Sequence, residues 1–268
     1  MQKGEVVMPI PAAKHVIYEI NPLDNVICQI RFPTLLKIDT ETPSLIQERL
    51  LPDYINFSES QALLFNIQVG GKSFAPGKDL GDTAPSNTKS YEFSTEDKRW
   101  TISLTRNSLS LSTSEYRNWG EFRSRFSAAL GVFMEVYKPA IITRVGLRYI
   151  DIIVRSKLNI KDVVWDGLIS KPIIGVLDSD IKNKINEFQS TFSYELNDKL
   201  GVVKVSVGTV KSTESGETCF MVDSDYFNLN SMKPDEILGR IDAFHSKAYD
   251  LFRWCITEKL HNAMKPRG

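Results

Sequence analysis

The stretch Trp100-Thr-Ile-Ser-Leu-Thr-Arg-Asn-Ser-Leu-Ser-Leu-Ser112 decides the fold. Its apolar and hydroxyl side chains alternate with a period of two on either side of Arg106-Asn107, which predicts two antiparallel strands joined by a tight turn. A third alternating strand, Tyr91-Glu-Phe-Ser-Thr95, precedes them. All three strands place apolar residues on one face and mainly serine or threonine on the other, so the apolar face needs a cover.

A helix predicted from Trp119 to Tyr137 supplies this cover. Asn118 and Glu121 have the spacing of a capping box, and Pro139 ends the helix. The apolar residues of the segment recur at the helical period and form one stripe: Trp119, Phe122, Phe126, Ala129, Leu130 and Phe133.

The second half of the chain repeats this order of elements. Short helical pieces, three strands and one long helix are predicted, over 160–185, 188–196, 202–210, 219–230 and 234–263. We therefore predict an α+β protein of antiparallel sheets with amphipathic helices packed on one face. It consists of two similar meander-plus-helix halves, 1–155 and 156–268, which together form one compact unit.

The first ninety residues are less regular. A strand is predicted at Val26–Phe32, and a helix follows it, with Thr42 as N-cap and Pro43 in its first turn. A further strand is predicted over 58–69. The Gly-, Pro-, Ser- and Lys-rich segment 69–90 then predicts a mobile loop.

Composition excludes some classes of function. The chain has 33 basic and 33 acidic residues, so no overall field attracts it to nucleic acid or to an anionic membrane. The three cysteines are odd in number, far apart and in apolar surroundings, which predicts reduced core thiols and a cytoplasmic location. Since about 18 consecutive apolar residues are needed for a membrane span and none occur, we expect no membrane partner.

The most unusual stretch is Ala140–Val154, an apolar strand interrupted by Arg144, Arg148 and Asp151. Strand alternation places the two arginines on one face with Gly146 between them. One interpretation is structural: a wet strand face, or arginines paired with carboxylates of neighbouring strands. Glu92, Asp223 and Asp225 are the candidates for such pairing. The alternatives are an anion site with a glycine floor, which includes Asp151 as a flanking residue, and a contact with a protein partner.

Four elements of the sequence also resemble a sporadically distributed, uncharacterised bacterial protein family. These are Val26-x-x-Gln-Ile-Arg-Phe, Tyr116-x-x-Trp-x-x-Phe, Phe252-x-x-x-Ile-Thr and, most specifically, Arg144-x-Gly-Leu-Arg-Tyr-Ile. The resemblance spans nearly the whole chain, although Asp151 stands where the usual pattern has an asparagine. It implies no particular activity. The patchy occurrence of the family is typical of mobile-element or phage-defence cargo.

One basic cluster is interleaved with Tyr116 and Trp119, a combination that is typical of single-strand nucleic-acid binding. Its members are Lys98, Arg99, Arg106, Arg117, Arg123 and Arg125. Of these, Lys98, Arg99, Arg106 and Arg123 are the candidate contacts. The alternative is that the aromatic residues belong to the core and that nearby acids dilute the charge.

Motifs for catalysis are sparse. The three histidines share no metal-ligand spacing, and we predict neither a metal nor a cofactor. Asp223 and Asp225 would share a strand face and could hold a divalent ion only if a third acid such as Asp151 joined them. Pro52-Asp53 with Glu96-Asp97-Lys98 weakly mimics the pattern of magnesium-dependent nucleases.

The sequence therefore favours a non-catalytic binding or regulatory protein that recognises a protein partner. The alternative is a sensor of nucleic acid or an anionic ligand that uses Arg144 and Arg148. A metal-dependent hydrolase is the least favoured hypothesis. The sequence leaves homo-oligomerisation open.

Overall fold

A computed structural model describes residues 10–41, 43–51, 53–61, 67–69, 72–74, 89–212 and 215–267. The strands are β1 (Ile17–Tyr18), β2 (Leu23–Arg31), β3 (Asn56–Gln61), β4 (Ile67–Val69), β5 (Lys72–Phe74), β6 (Lys89–Ser94), β7 (Trp100–Thr105), β8 (Ser108–Thr113), β9 (Arg144–Ile153), β10 (Gln189–Leu196), β11 (Gly201–Lys211), β12 (Thr218–Asn228) and β13 (Pro266–Arg267). The α-helices are α1 (Leu36–Thr40), α2 (Ser44–Leu50), α3 (Trp119–Tyr137), α4 (Lys171–Ile174), α5 (Ile237–Cys255) and α6 (Glu258–Ala263). Short 3₁₀ helices lie at Trp165–Gly167, Gly175–Asp178, Lys182–Lys184, Asn197–Lys199 and Pro234–Glu236.

The main feature of the fold is one nine-stranded antiparallel sheet. Its strand order is β10-β11-β12-β9-β2-β8-β7-β6-β3, while β1 pairs with β13 and β4 with β5. The α+β class with antiparallel sheets is therefore confirmed. The strands of both predicted halves lie in this one sheet, where β9 pairs with β12 on one side and with β2 on the other.

The two long helices, α3 and α5, cover the same face of the sheet. α3 contacts β8, α5 contacts β9 and β12, and the two helices contact each other. The Asn118 side chain caps α3 by accepting a 2.9 Å hydrogen bond from the Glu121 backbone N–H, as the sequence predicts. The predicted stripe of α3 is buried from Phe122 to Phe133, with Trp119 partly buried at its start.

The predicted helix over 234–263 is wrong in one respect, because the chain is extended between α5 and α6. Ile256 forms an isolated antiparallel bridge with Ile169, and the Thr257 hydroxyl donates a 2.9 Å hydrogen bond to the Gly167 carbonyl. The same hydroxyl accepts from the Leu260 N–H and so caps α6. These tertiary contacts replace helical hydrogen bonds that the local sequence alone would permit.

Two expectations for the N-terminal region fall partly outside the described residues. The predicted N-cap Thr42 lies outside them, and α2 begins at Ser44 after Pro43. Most of the predicted 69–90 loop also lies outside them. Residues 72–74 form β5, which pairs with β4, and β6 begins at Lys89, so those parts of the segment are strands.

An N-terminal arm runs along α5 before it reaches the sheet. The Ala13 N–H donates a 2.9 Å hydrogen bond to Asp250, and the His15 ring stacks on Tyr249 at 4.3 Å. All three cysteines are buried as free thiols. Among the described residues, no helix has the length and apolar character required to cross a membrane.

Candidate functional site

Arg144 and Arg148 lie on the face of the sheet opposite α3 and α5, which we call the outer face. The register of β12 against β9 places Asp223 and Asp225 on the same face. The Arg148 guanidinium donates two hydrogen bonds to Asp223, of 2.7 and 2.6 Å, in a bidentate pair. Arg144 donates a 2.9 Å hydrogen bond to Asp225 and a 3.3 Å hydrogen bond to Gln29.

The Arg148–Asp223 pair is nearly buried, with 12% and 10% of the two side chains exposed. Burial lowers the pKa of Arg148, but the hydrogen bonds and charge of Asp223 outweigh it and hold that pKa above its usual value. Of the three interpretations of this stretch, carboxylate pairing is the one whose geometry is present. The two positive charges are already balanced by two negative ones.

Gly146 explains how Arg144 fits against the sheet. A Cβ atom at this position would lie 2.5 Å from Nη1 of Arg144 and 2.9 Å from its Cζ. The guanidinium therefore lies directly over the glycine, and the Phe227 ring packs 5.1 Å from the same group. The glycine floor that an anion would require is occupied by Arg144 itself.

Asp151 lies on the helix-covered face, away from Asp223 and Asp225. It shares this face with Leu147 and Tyr149 of the main core, whereas Arg148 points to the outer face. Burial, and then the charges of Asp223 and Asp24, raise the pKa of Asp151 to about 8, so the carboxyl group is mainly protonated at neutral pH. The three acids of the hydrolase hypothesis therefore do not share a face, and Asp151 does not flank the arginines.

The four candidate nucleic-acid contacts are spread over the molecule. Lys98 and Arg99 lie in the turn before β7, whereas Arg106 lies in the turn after it. Six residues of strand separate the two turns by about 20 Å. Arg123 of α3 instead pairs with Asp242 of α5 at 2.7 Å.

Acidic partners accompany most of this basic cluster. Besides Arg123–Asp242, its ion pairs include Arg99–Glu115 at 2.6 Å, Arg117–Glu115 at 3.2 Å, Arg106–Asp39 at 3.4 Å and Arg125–Glu121 at 3.4 Å. The aromatic rings are also engaged within the protein, since Trp119 stacks on His245 at 4.3 Å and Tyr116 packs against Phe122. These contacts support the core interpretation of the aromatic residues, while nucleic-acid binding stays a prediction.

Three acids of the nuclease-like pattern lie close together in the structure. Asp53, Glu96 and Asp97 line one open groove, together with Glu115 and Glu121. The Asp97 carboxylate is tied into the β6–β7 turn, because it accepts a 2.6 Å hydrogen bond from the Thr95 hydroxyl and a 3.1 Å one from the Arg99 N–H. Within the described parts of the chain, no three acids, histidines or cysteines are grouped closely enough to hold a metal ion.

Sequence reasoning missed a cluster around His245 of α5. The His245 ring stacks on Trp119, and its Nδ1 lies 2.8 Å from the Tyr149 hydroxyl. Burial, and then the positive charge that His15 can carry, lower the pKa of His245 to about 4, so the ring is neutral at pH 7. The cluster joins α3, α5, β9 and the N-terminal arm. Its residues are far apart in sequence, and no local pattern marks it.

Asp242 of α5 connects this cluster to α3 through hydrogen bonds. Because Asp242→Ala removes these bonds, we expect it to lower the free energy of unfolding by about 1–2 kcal/mol. The carboxylate accepts hydrogen bonds from the Trp119 indole at 2.9 Å and from Arg123 at 2.7 Å. Urea denaturation measures the loss. Asp162→Ala, at an exposed aspartate, is the control and should change stability by less than about 0.5 kcal/mol. Equal effects of the two substitutions would show that Asp242 does not connect the helices.

Comparison of the chain with protein-family models, with curated proteins and with solved structures finds no match.

Proposed function

We propose that the protein is a non-catalytic binding protein that recognises a protein partner through the outer face of β3, β6, β7 and β8. Serine and threonine side chains dominate this surface, which we call the hydroxyl face: Ser58, Ser94, Thr101, Ser103, Thr105, Ser108, Ser110 and Ser112. Most of them are partly exposed, Ser58 is exposed and Ser110 is buried. The observation that carries the proposal is this array of hydroxyl groups on four adjacent strands, opposite the helix-covered face.

The charge of the hydroxyl face favours a protein over nucleic acid. Among the described side chains that these four strands direct outward, Glu92 is the only charged one. Binding to a phosphate backbone relies on arginine and lysine, which this surface lacks. Hydroxyl groups instead donate to and accept from backbone and polar side-chain groups of a protein. A hydrogen bond of 2.7 Å between the hydroxyls of Thr105 and Ser108 helps to fix their positions.

The family resemblance and the buried thiols also suggest where such a binding protein acts. A binding role fits a cytoplasmic component of a mobile-element or defence system, because such systems contain regulatory and immunity-type proteins that act on other proteins. The sensor alternative has less support. Arg144 and Arg148 are engaged by Asp225 and Asp223, and an anionic ligand would have to displace these carboxylates.

A photo-crosslinking residue at Ser103, near the middle of the hydroxyl face, tests the proposal. In cells that express the chain natively, we expect it to capture one defined protein, whereas the same residue at the exposed Ser246 of α5 should not. Ser103→Arg should weaken binding of the purified partner at least tenfold, while Ser246→Arg leaves it unchanged. Both variants should keep the melting temperature, because a long cation at either site can extend into solvent.

Two outcomes would contradict this function. One is hydrolysis of a nucleotide or cleavage of nucleic acid by the purified protein that stops when a named side chain is replaced. The other is oligonucleotide binding whose affinity falls steeply with salt concentration, the signature of phosphate contacts. The first result would favour the hydrolase hypothesis, and the second would favour the sensor of nucleic acid or an anionic ligand.

A further inference from the structure

β10 forms one end of the nine-stranded sheet, and no described strand pairs with its second edge. It pairs with β11 in continuous register from Gln189 to Leu196, without a bulge. Five of its eight side chains are exposed: Gln189, Ser190, Thr191, Ser193 and Glu195. The strand contains neither proline nor lysine, the residues that commonly protect sheet edges from further pairing.

The backbone groups available on this edge follow from the ladder between β10 and β11. The Thr209 N–H donates a 2.9 Å hydrogen bond to the Phe188 carbonyl, so these two residues form a hydrogen-bonded pair one step before the strand. Hydrogen-bonded pairs recur at every second residue. Phe192 and Tyr194 therefore direct their backbone groups toward β11, whereas Thr191 and Ser193 direct theirs away from the sheet.

We propose that β10 pairs antiparallel with β10 of a second copy of this chain, about a two-fold axis at Phe192. In this register the backbone of Thr191 bonds to that of Ser193 in the other copy, and Gln189 bonds to Glu195 in the same way. All the outward-pointing groups of these four residues are then satisfied. The two nine-stranded sheets become one continuous sheet across the dimer.

The side chains are complementary to themselves in this register. On the outer face, the Gln189 amide lies opposite the Glu195 carboxylate and can donate to it, and Thr191 lies opposite Ser193. On the helix-covered face, the two half-buried Phe192 rings meet at the axis. No two like charges face each other within the strand. A shift of the axis to Thr191 would bring Glu195 opposite Glu187 and is disfavoured.

The charge pattern favours a second copy over a strand of another protein. In this register the Glu195 carboxylate of each copy accepts a hydrogen bond from the Gln189 amide of the other copy, so the sequence of β10 itself supplies the partner. Pairing of one eight-residue strand buries less surface than a standard protein interface, so we expect a reversible dimer in the micromolar range. The dimer edge lies at the opposite end of the sheet from β3, so this inference does not rest on the hydroxyl face.

Sedimentation velocity of the full chain over a range of concentrations tests the dimer. Ser193→Pro removes one outward N–H without removing a hydrogen bond to β11, and it should raise the dissociation constant at least tenfold. Ser193→Ala keeps that N–H and should dimerise like the original chain. A monomer at every concentration, or a dimer that persists in Ser193→Pro, would overturn the proposal.

Disulfide crosslinking tests the register directly. At the two-fold axis the paired Cα atoms are about 4.5 Å apart, within reach of a disulfide, so Phe192→Cys should crosslink two copies on mild oxidation. Ser190→Cys is the control, because its two copies would be about 13 Å apart and should remain uncrosslinked. Crosslinking at position 190 but not 192 would refute this register. A failure to capture a partner at Ser103 would contradict the proposed function but would not change the sedimentation or crosslinking results. The dimer and the proposed function can therefore be refuted independently.

Discussion

Arg148→Ala is expected to lower the free energy of unfolding by about 3–5 kcal/mol. The substitution leaves Asp223 on the outer face with only a tenth of its side chain exposed and without its bidentate partner. A buried carboxylate that has lost its counter-ion retains the cost of desolvation without the compensating hydrogen bonds. Urea denaturation followed by circular dichroism measures the change.

The matched variants separate a structural role from a binding role. Replacing both partners with apolar residues, as in Arg148→Met with Asp223→Leu, should recover most of the stability, because no charge is then left unpaired. Arg144→Ala should cost less, about 1–2 kcal/mol, since its partner Asp225 has 24% of its side chain exposed. If Arg148→Ala left stability unchanged but abolished binding of an anionic ligand, the anion-site interpretation would be correct.

Asp151→Asn is expected to stabilise the protein increasingly as the pH rises from about 4 to about 8. The pKa of this carboxyl group is raised from 3.8 to about 8 in the folded chain. Below pH 4 both states hold the proton. Between the two pKa values only the folded state holds it, so the original chain loses up to about 1.4 kcal/mol of stability for each pH unit. Above pH 8 this loss is complete.

Unfolding free energies measured at pH 5, 6, 7 and 8 for both proteins check this expectation. The difference between them should grow with pH and level off near the folded-state pKa, because asparagine does not titrate. Asp162→Asn, at an exposed position, should follow the original chain throughout. A constant difference between pH 5 and pH 8 would mean that Asp151 is ionised in the folded protein.

Local patterns predicted the elements that local interactions determine. The cap at Asn118 and the apolar stripe that follows it predicted the bounds of α3, and strict alternation predicted β7 and β8. Alternation also placed Arg144 and Arg148 on one face and Asp223 with Asp225 on one face. These predictions succeeded because capping and side-chain periodicity act within a few residues.

The features that the sequence did not predict depend on contacts between residues far apart in the chain. Nothing near Arg148 distinguishes Asp223 from Glu92 as its partner, because that choice follows from β12 lying beside β9. The break after Cys255 likewise depends on Ile169 and Gly167, nearly ninety residues earlier in the chain. His245 has no neighbouring motif and acquires its environment only when α3 and β9 pack against α5.

The position of β9 between β2 and β12 has a consequence for synthesis on the ribosome. When residues 1–155 have emerged, β9 can pair with β2, but its other edge stays open until β12 (ending at Asn228) has emerged, about 73 residues later. During that interval the two arginines lack the aspartates that neutralise them, and an unpaired strand edge is exposed to other nascent chains. Contacts that span so much sequence form slowly. Completion of this sheet therefore limits how early the chain can become protected from aggregation, and a chaperone that binds exposed strands would act in that interval.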